Sequence, residues 1–240
     1  MIAGFWPKFW PTVISAFIVL VCLGLGVWQV ERLHWKEGLI AARTAAVEAP
    51  PIAPPRSGAD VKGMEFRHVT ARGVFLNDKE LFVGATAESG TIGYDVVTPL
   101  REPSGRILFI NRGYVPAEFK DRAKRAAGEP QGSTAVTGLL RLPPAGRPNW
   151  FLPDNRVDLN YWFWVDLPAM AKADGFDPAD VAPFYIDADA TPNPGGWPKG
   201  GTTRLALPNN HLQYAITWFS LAAAALVIYV VYHWPGRDWR

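Results

Sequence analysis

The stretch Phe9-Trp-Pro-Thr-Val-Ile-Ser-Ala-Phe-Ile-Val-Leu-Val-Cys-Leu-Gly-Leu-Gly-Val-Trp-Gln-Val30 runs for 22 residues without Asp, Glu, Lys or Arg. As a helix it would reach about 33 Å, enough to cross a hydrocarbon layer of about 30 Å. A second run free of the same residues, Leu205 to Gly236, is 32 residues long. Two membrane spans follow, and a wholly soluble domain is ruled out. Between the runs, Glu31 to Arg204 carry 21 Lys+Arg and 21 Asp+Glu, so the middle is neutral and water-compatible. It is long enough to build one domain with its own core. The whole 240-residue chain has a formal charge of only +2, which gives nucleic acid no basic surface to bind.

Cys22 is the single cysteine and lies inside the first run. No intramolecular disulfide or cysteine-based metal cluster is available, so cysteine usage reports no redox compartment. The first span runs into Gly24, Gly26, Val27, Trp28 and Gln29 rather than a small-residue cleavage site, which reads as an uncleaved signal anchor. No Arg- and Ser-rich presequence precedes it, so a bacterial cytoplasmic (inner) membrane is expected, although a trimmed organellar chain would read the same way. Two spans place both termini on one side. The flanking cations are Lys8, Arg237 and Arg240 against Arg32, Lys36, Arg43, Lys199 and Arg204, a mild bias toward a cytoplasmic domain. The charge rule is weak for loops longer than about 60 residues, and it leaves the topology undecided.

The expected fold class is an α+β membrane protein, with two transmembrane helices flanking a mostly antiparallel, barrel-like β domain that also holds a short helix. Its divisions are a tail at 1–8, a first span at 9–30, a juxtamembrane helix at 31–48 and a Pro-rich linker at 49–60. A β-rich domain at 61–207, a second span at 208–233 and a tail at 234–240 complete it. In the juxtamembrane helix Arg32, Lys36 and Arg43 alternate with Leu33, Trp35 and Leu39, a pattern suited to headgroups or to docking on the domain. The prolines of Ala49 to Arg56 remove backbone donors and favour an extended connector. Short β-prone runs bounded by Gly and Pro predict strands at 68–75, 81–84, 92–100, 107–115, 135–142, 161–167, 183–187 and 202–207. Asp166 as N-cap, Pro168 in the first turn and Gly175 past the end predict a helix over 166–174. Lys120 to Arg125 reads as a solvated basic face.

Motifs of catalysis are missing: there is no nucleophile elbow, phosphate-cradling loop or His-Glu-x-x-His, and no thiol outside the membrane. Asp187-Ala-Asp189 would suit a divalent cation but reads first as solvated, and Asp154 with Asp158 is an equally unspecific pair. Trp150, Tyr161, Trp162 and Trp164 read as core or membrane belt before a stacking site. Of the histidines, His34 sits in the juxtamembrane helix, His68 opens a strand and His233 ends the second span. His211 differs because Pro208 stops the incoming chain and Asn209 or Asn210 can cap the helix that follows. In that first turn the positive end of the helix dipole favours a neutral ring, the form that ligates a metal. Tyr214, Ala215 and Trp218 follow at spacings that share its face, and Ala222 and Ala225 extend the stripe. A two-span hairpin brings Trp28, Gln29 and Arg32 into the same leaflet, where Arg32 could hold a carboxylate such as a porphyrin propionate. The bland alternative is a helix-start histidine bonded to backbone, with Trp and Tyr as anchors.

The chain resembles the Surfeit-locus protein one family, membrane-anchored assembly factors of cytochrome c oxidase. The resemblance is carried by Gly24-x-Gly-x-Trp-Gln-x-x-Arg32-Leu-x-Trp-Lys36 with Leu39-Ile40, Gly73-Val-Phe75 and Gly93-Tyr-x-x-Val-Thr-Pro-Leu100. Asn111-Arg-Gly-Tyr-Val-Pro116, Gly138-x-x-Arg141 and Asn210-His-Leu-Gln-Tyr-Ala-x-Thr-Trp218 complete it. Tyr114 stands where many members carry Trp. The resemblance implies a non-enzymatic role in bringing haem a to the catalytic subunit of a haem-copper oxidase, with haem a held transiently. It implies His211 as the axial ligand of the haem iron and a periplasmic domain. It also raises haem a synthase as a further partner beside the catalytic subunit and membrane lipid. Helical spacing adds Tyr214 and Trp218 as contacts to the macrocycle and Arg32 as a propionate partner. Two rival classes stay open: a scaffold that stabilises the catalytic subunit without binding haem, and an anchored periplasmic binding or sensor module. An enzyme is the weakest reading.

Overall fold

The computed structural model describes residues 7–56, 61–87 and 89–234. The chain forms two units, one of Met1–Ala42 with Ala206–Arg240 and one of Arg43–Leu205. Arg237 and Arg240 lie outside the described residues, as do the tail at 235–240, positions 1–6 and part of the expected linker.

The first unit holds α1, Phe9–Glu48, as far as Ala42, together with α3, His211–His233. Both are long and apolar enough to cross a membrane. Their side chains are apolar on most faces and largely exposed, with Phe17, Leu20, Ile216 and Ile228 all more than half accessible. A core helix of a soluble protein would bury these groups, whereas lipid solvates them. α1 runs unbroken from the first span through the expected juxtamembrane helix, so the boundary at Val30 is one of composition only.

In the second unit, β1 is His68–Phe75, β2 Leu81–Thr86, β3 Ile92–Arg101, β4 Ile107–Pro116, β5 Ser133–Arg141 and β6 Val181–Ala188. The strand order is β1-β5-β6-β4-β3-β2, and an additional β1–β3 pairing closes five of the strands into a barrel with β2 as a hairpin on its flank. All pairs are antiparallel except β4 with β6. The parallel pair arises because β6 inserts between β5 and β4, antiparallel to β5 and so parallel to β4, with α2, Leu167–Ala173, in the connection from β5. Closure removes most exposed edges. One set of alternating side chains, including Val69, Leu100, Leu108, Ile110, Phe184 and Ile186, fills one core. The opposite set on β4 and β6, with Phe109 and Tyr185, packs with Trp162 and Met170 of the α2 region. α2 is capped as expected: Asp166 accepts from Ala169 N–H at 3.1 Å, and Gly175 has a φ of +73°.

Several expectations are corrected. The 161–167 run forms only isolated bridges, Trp162 with Val83 and Tyr161 with Arg156, because the Asn155 side chain takes the Phe163 and Trp164 N–H groups. The 202–207 run is extended but unladdered; Thr203 bonds Asp187 and Arg204 bonds the Thr86 carbonyl instead. The Pro-rich segment, expected as an extended connector, is extended at Ile52, which pairs with Val69 of β1.

The stretch at 120–125 is not a uniformly solvated face. Arg125 is buried and forms a bidentate pair with Glu80, which also receives Arg112 at 3.3 Å. Arg112 also donates to the Gly128 carbonyl and lies over the Phe75 ring. Burial pulls the Arg112 guanidinium below its ordinary value, and Glu80 opposes that shift. The next residue, Gly113, has a φ of +110°, and a Cβ there would overlap the Lys199 carbonyl. The Asn111-Arg112-Gly113 block therefore builds the barrel. Glu80→Gln would leave two buried guanidinium groups without an anion and is expected to cost about 3–5 kcal/mol. The thermal unfolding midpoint in detergent checks this, and an unchanged midpoint would count against it.

Candidate functional site

Within the first unit, the face of α1 made by Thr12, Ser15, Val19, Cys22, Gly26 and Gln29 is spaced alternately by three and four residues and carries that helix's buried positions. On α3 the corresponding seam is His211, Ala215, Trp218, Ala222, Ala225 and Tyr229. Such spacing keeps one stripe of each helix facing the other. The helices run antiparallel. Gln29 meets His211 at one end, and at the other Thr12 bonds Tyr229 at 2.9 Å while Lys8 N–H donates to His233 Nε2 at 3.1 Å. Small residues set the separation: a Cβ on Gly26 would stand 2.6 Å from the Phe219 ring.

The polar centre of this hairpin is a 2.7 Å hydrogen bond between His211 Nδ1 and Gln29 Oε1. The amide oxygen can only accept, so Nδ1 carries a proton, and of the two neutral tautomers the contact selects the Nδ1–H form. In the neutral ring Nε2 keeps its lone pair, and it has no hydrogen-bond partner among the described residues. Gln29 is buried and His211 half-buried. Asn210 occupies the N-cap position without a side-chain cap bond, and the Asn209 side chain instead accepts from His211 N–H at 3.4 Å.

The remaining candidates divide. Trp218 is half-buried in the seam one turn beyond Ala215, whereas Tyr214 is 54% exposed on the outer face of α3. Trp28 and Arg32 are exposed on α1, where the Arg32 guanidinium lies over the rings of Trp28 and Trp35, at 5.6 and 5.2 Å from their centres. Among the described residues Arg32 makes no ion pair. The structure thus joins His211 to Gln29, with Trp218 along the same seam, and leaves Arg32, Trp28 and Tyr214 facing outward.

Among the described residues no group of three or more His, Cys, Asp or Glu is suited to hold a metal ion. Asp187, read as solvated or cation-binding, is buried: it accepts from Asn111 at 2.9 Å, Arg141 at 2.8 Å and Thr203 at 2.9 Å. Asp189 accepts from Thr191 N–H. Asp154 and Asp158 pair with Arg147 and Arg156 at the surface rather than with each other. Trp162 is fully buried, Trp164 half-buried and Trp150 87% exposed. His68 bonds the Val47 carbonyl and is structural.

A family profile described as the SURF1 family matches residues 16–223, a span that holds Gln29, His211 and the whole barrel. The chain belongs to the SURF1 family. It is 37% identical to a SURF1-like protein of Monosiga brevicollis over 92% of this chain and 87% of that relative. Surfeit locus protein 1 of Takifugu rubripes is 35% identical over 87% of this chain and 92% of its own, and that of Homo sapiens is 35% identical over 86% and 72%.

The network around Asp187 was not anticipated, although two polar residues, Asn111 and Arg112, interrupt an otherwise apolar strand. Asp95 joins it through Asn111, at 3.4 Å. Burial, reinforced by the charge of Asp187 and opposed by the Asn111 hydrogen bond, raises the Asp95 carboxyl to about 6. Its folded value lies above its unfolded one, so its contribution to stability is complete below about pH 4 and is lost as pH rises through about 6. Asp95→Asn is therefore expected to raise the melting temperature at about pH 8 and to leave it nearly unchanged at about pH 4. Equal shifts at both pH values would show that the carboxyl is not strained by ionisation.

Proposed function

We propose that this family member is a non-enzymatic assembly factor for a haem-copper cytochrome c oxidase, binding haem a through His211 and assisting its delivery to the catalytic subunit. The observation that carries the reading is the His211–Gln29 hydrogen bond, which fixes the tautomer whose Nε2 can ligate iron. A hydrogen bond on the remote ring nitrogen also raises the basicity of a ligating histidine. One half-buried imidazole holds its cargo less firmly than a buried pair would, as delivery requires.

The other residues supply placement. Trp218, half-buried, offers an aromatic surface beside the seam, in which Ala215 and Ala222 are buried. Arg32, solvent-facing and without a carboxylate partner among the described residues, is available for a propionate, with Trp28 and Tyr214 as flanking aromatic surface. The barrel is placed on the periplasmic side of a bacterial inner membrane, where it would meet the catalytic subunit, with haem a synthase as the source of cargo.

The test is the visible spectrum and pyridine haemochrome of detergent-purified protein from cells that make haem a. His211→Ala is expected to lose the haem a band. Gln29→Ala, which keeps the ligand but frees the tautomer, is expected to bind about tenfold more weakly. A full haem load in His211→Ala would refute the ligand assignment, and colourless but folded wild type would favour a scaffold that stabilises the oxidase subunit without haem.

A further inference from the structure

The segment between β5 and the Tyr161–Trp162 bridges, residues 142–160, exposes Leu142, Trp150, Phe151, Val157 and Leu159 at 37, 87, 70, 48 and 58%. Apolar groups this large are not normally left together in water. Trp150 and Phe151 pack edge to face at 5.8 Å, so the tip is a preformed aromatic pair. Its four charges cancel in two local pairs, Arg147 with Asp154 and Arg156 with Asp158. Pro143, Pro144, Pro148 and Pro153 remove four backbone donors that would need water. An aromatic, proline-rich, charge-compensated loop has the chemistry of the bilayer interface, where Trp rings are enriched.

The origin of the loop points the same way. Arg141, the residue just before it, lies over the Phe66 ring at 4.8 Å, and Arg43 lies over the same ring at 4.1 Å. Arg43 also donates to the Leu205 carbonyl at 3.2 Å, and Arg141 shares Asp187 with Thr203. Arg43 and Leu205 are the residues through which the barrel unit continues into the two apolar helices. The loop therefore leaves the barrel where both tethers leave it. Trp150 lies nine positions after Arg141, a reach of up to about 30 Å, and His211 six positions after Leu205, up to about 20 Å.

We propose that the loop at 142–160 is a third membrane contact, with Trp150 and Phe151 seated in the headgroup region of the leaflet that the two helices enter. This rests on the membrane reading of α1 and α3 and is independent of haem binding. The test uses the full chain, with Cys22→Ala, in nanodiscs of phosphatidylcholine and phosphatidylglycerol. A spin label is attached at Phe151→Cys and, as an aqueous reference on the same domain, at Ala179→Cys. The label at 151 is expected to be several-fold less accessible to a water-soluble nickel relaxant than the label at 179, and more accessible to oxygen. Val157→Cys carries the same expectation should Phe151→Cys fail to fold. Equal nickel accessibility at the loop and at 179 would overturn the proposal. So would protection that appears only when the oxidase catalytic subunit is added, which would make the loop a protein-docking surface.

Discussion

A glutamine side chain within an apolar helix must find a partner, because lipid offers its amide none. In this chain the partner is His211, and much of the hairpin follows from that demand. The bond fixes which residue of α3 stands opposite Gln29, the antiparallel course then brings Tyr229 to Thr12 and His233 to Lys8, and Gly26 keeps the helices close enough for these bonds to form. Each polar pair is satisfied by a group from the other helix, so a register shift would strand several at once.

The barrel obeys the same rule with charges in place of amides. Glu80 with Arg112 and Arg125 ties the start of β2, the centre of β4 and the turn after β4. Asp187 with Asn111, Arg141 and Thr203 ties three strands to the segment leading toward α3. These groups lie on barrel elements, and their arrangement is that of a frame. Asp187, which sequence offered with Asp189 as a cation site, is already held by Arg and amide donors.

Much of this was legible in the chain. Charge-free runs announce both helices, and alternation with Gly and Pro punctuation locates β1 to within its ends and the other strands to within a few residues. Asp166, Pro168 and Gly175 give α2 its cap, start and stop. What local pattern could not give is pairing across distance. Thr203 and Phe163 lie in runs with strand character, yet their polar partners come from side chains far along the sequence or from Asn155. The burial of Arg125 depends on Glu80, 45 residues away. In the candidate site, helical spacing and a two-span hairpin sufficed to put Gln29 and His211 in one leaflet. They could not show that the two touch, nor that Arg32 stacks on Trp28 and Trp35, since both depend on how the helices are rotated.

Haem binding as proposed needs the hairpin to hold His211 with its proton on Nδ1 and Nε2 open to a ligand. Nitrogen-15 NMR of the labelled protein in lipid, with His211 assigned by the His211→Ala spectrum, reads this directly. A proton on Nδ1 and none on Nε2, reverting toward the mixture of free imidazole in Gln29→Ala, is the predicted result. A proton on Nε2 in the wild type, or a tautomer indifferent to Gln29, would contradict it.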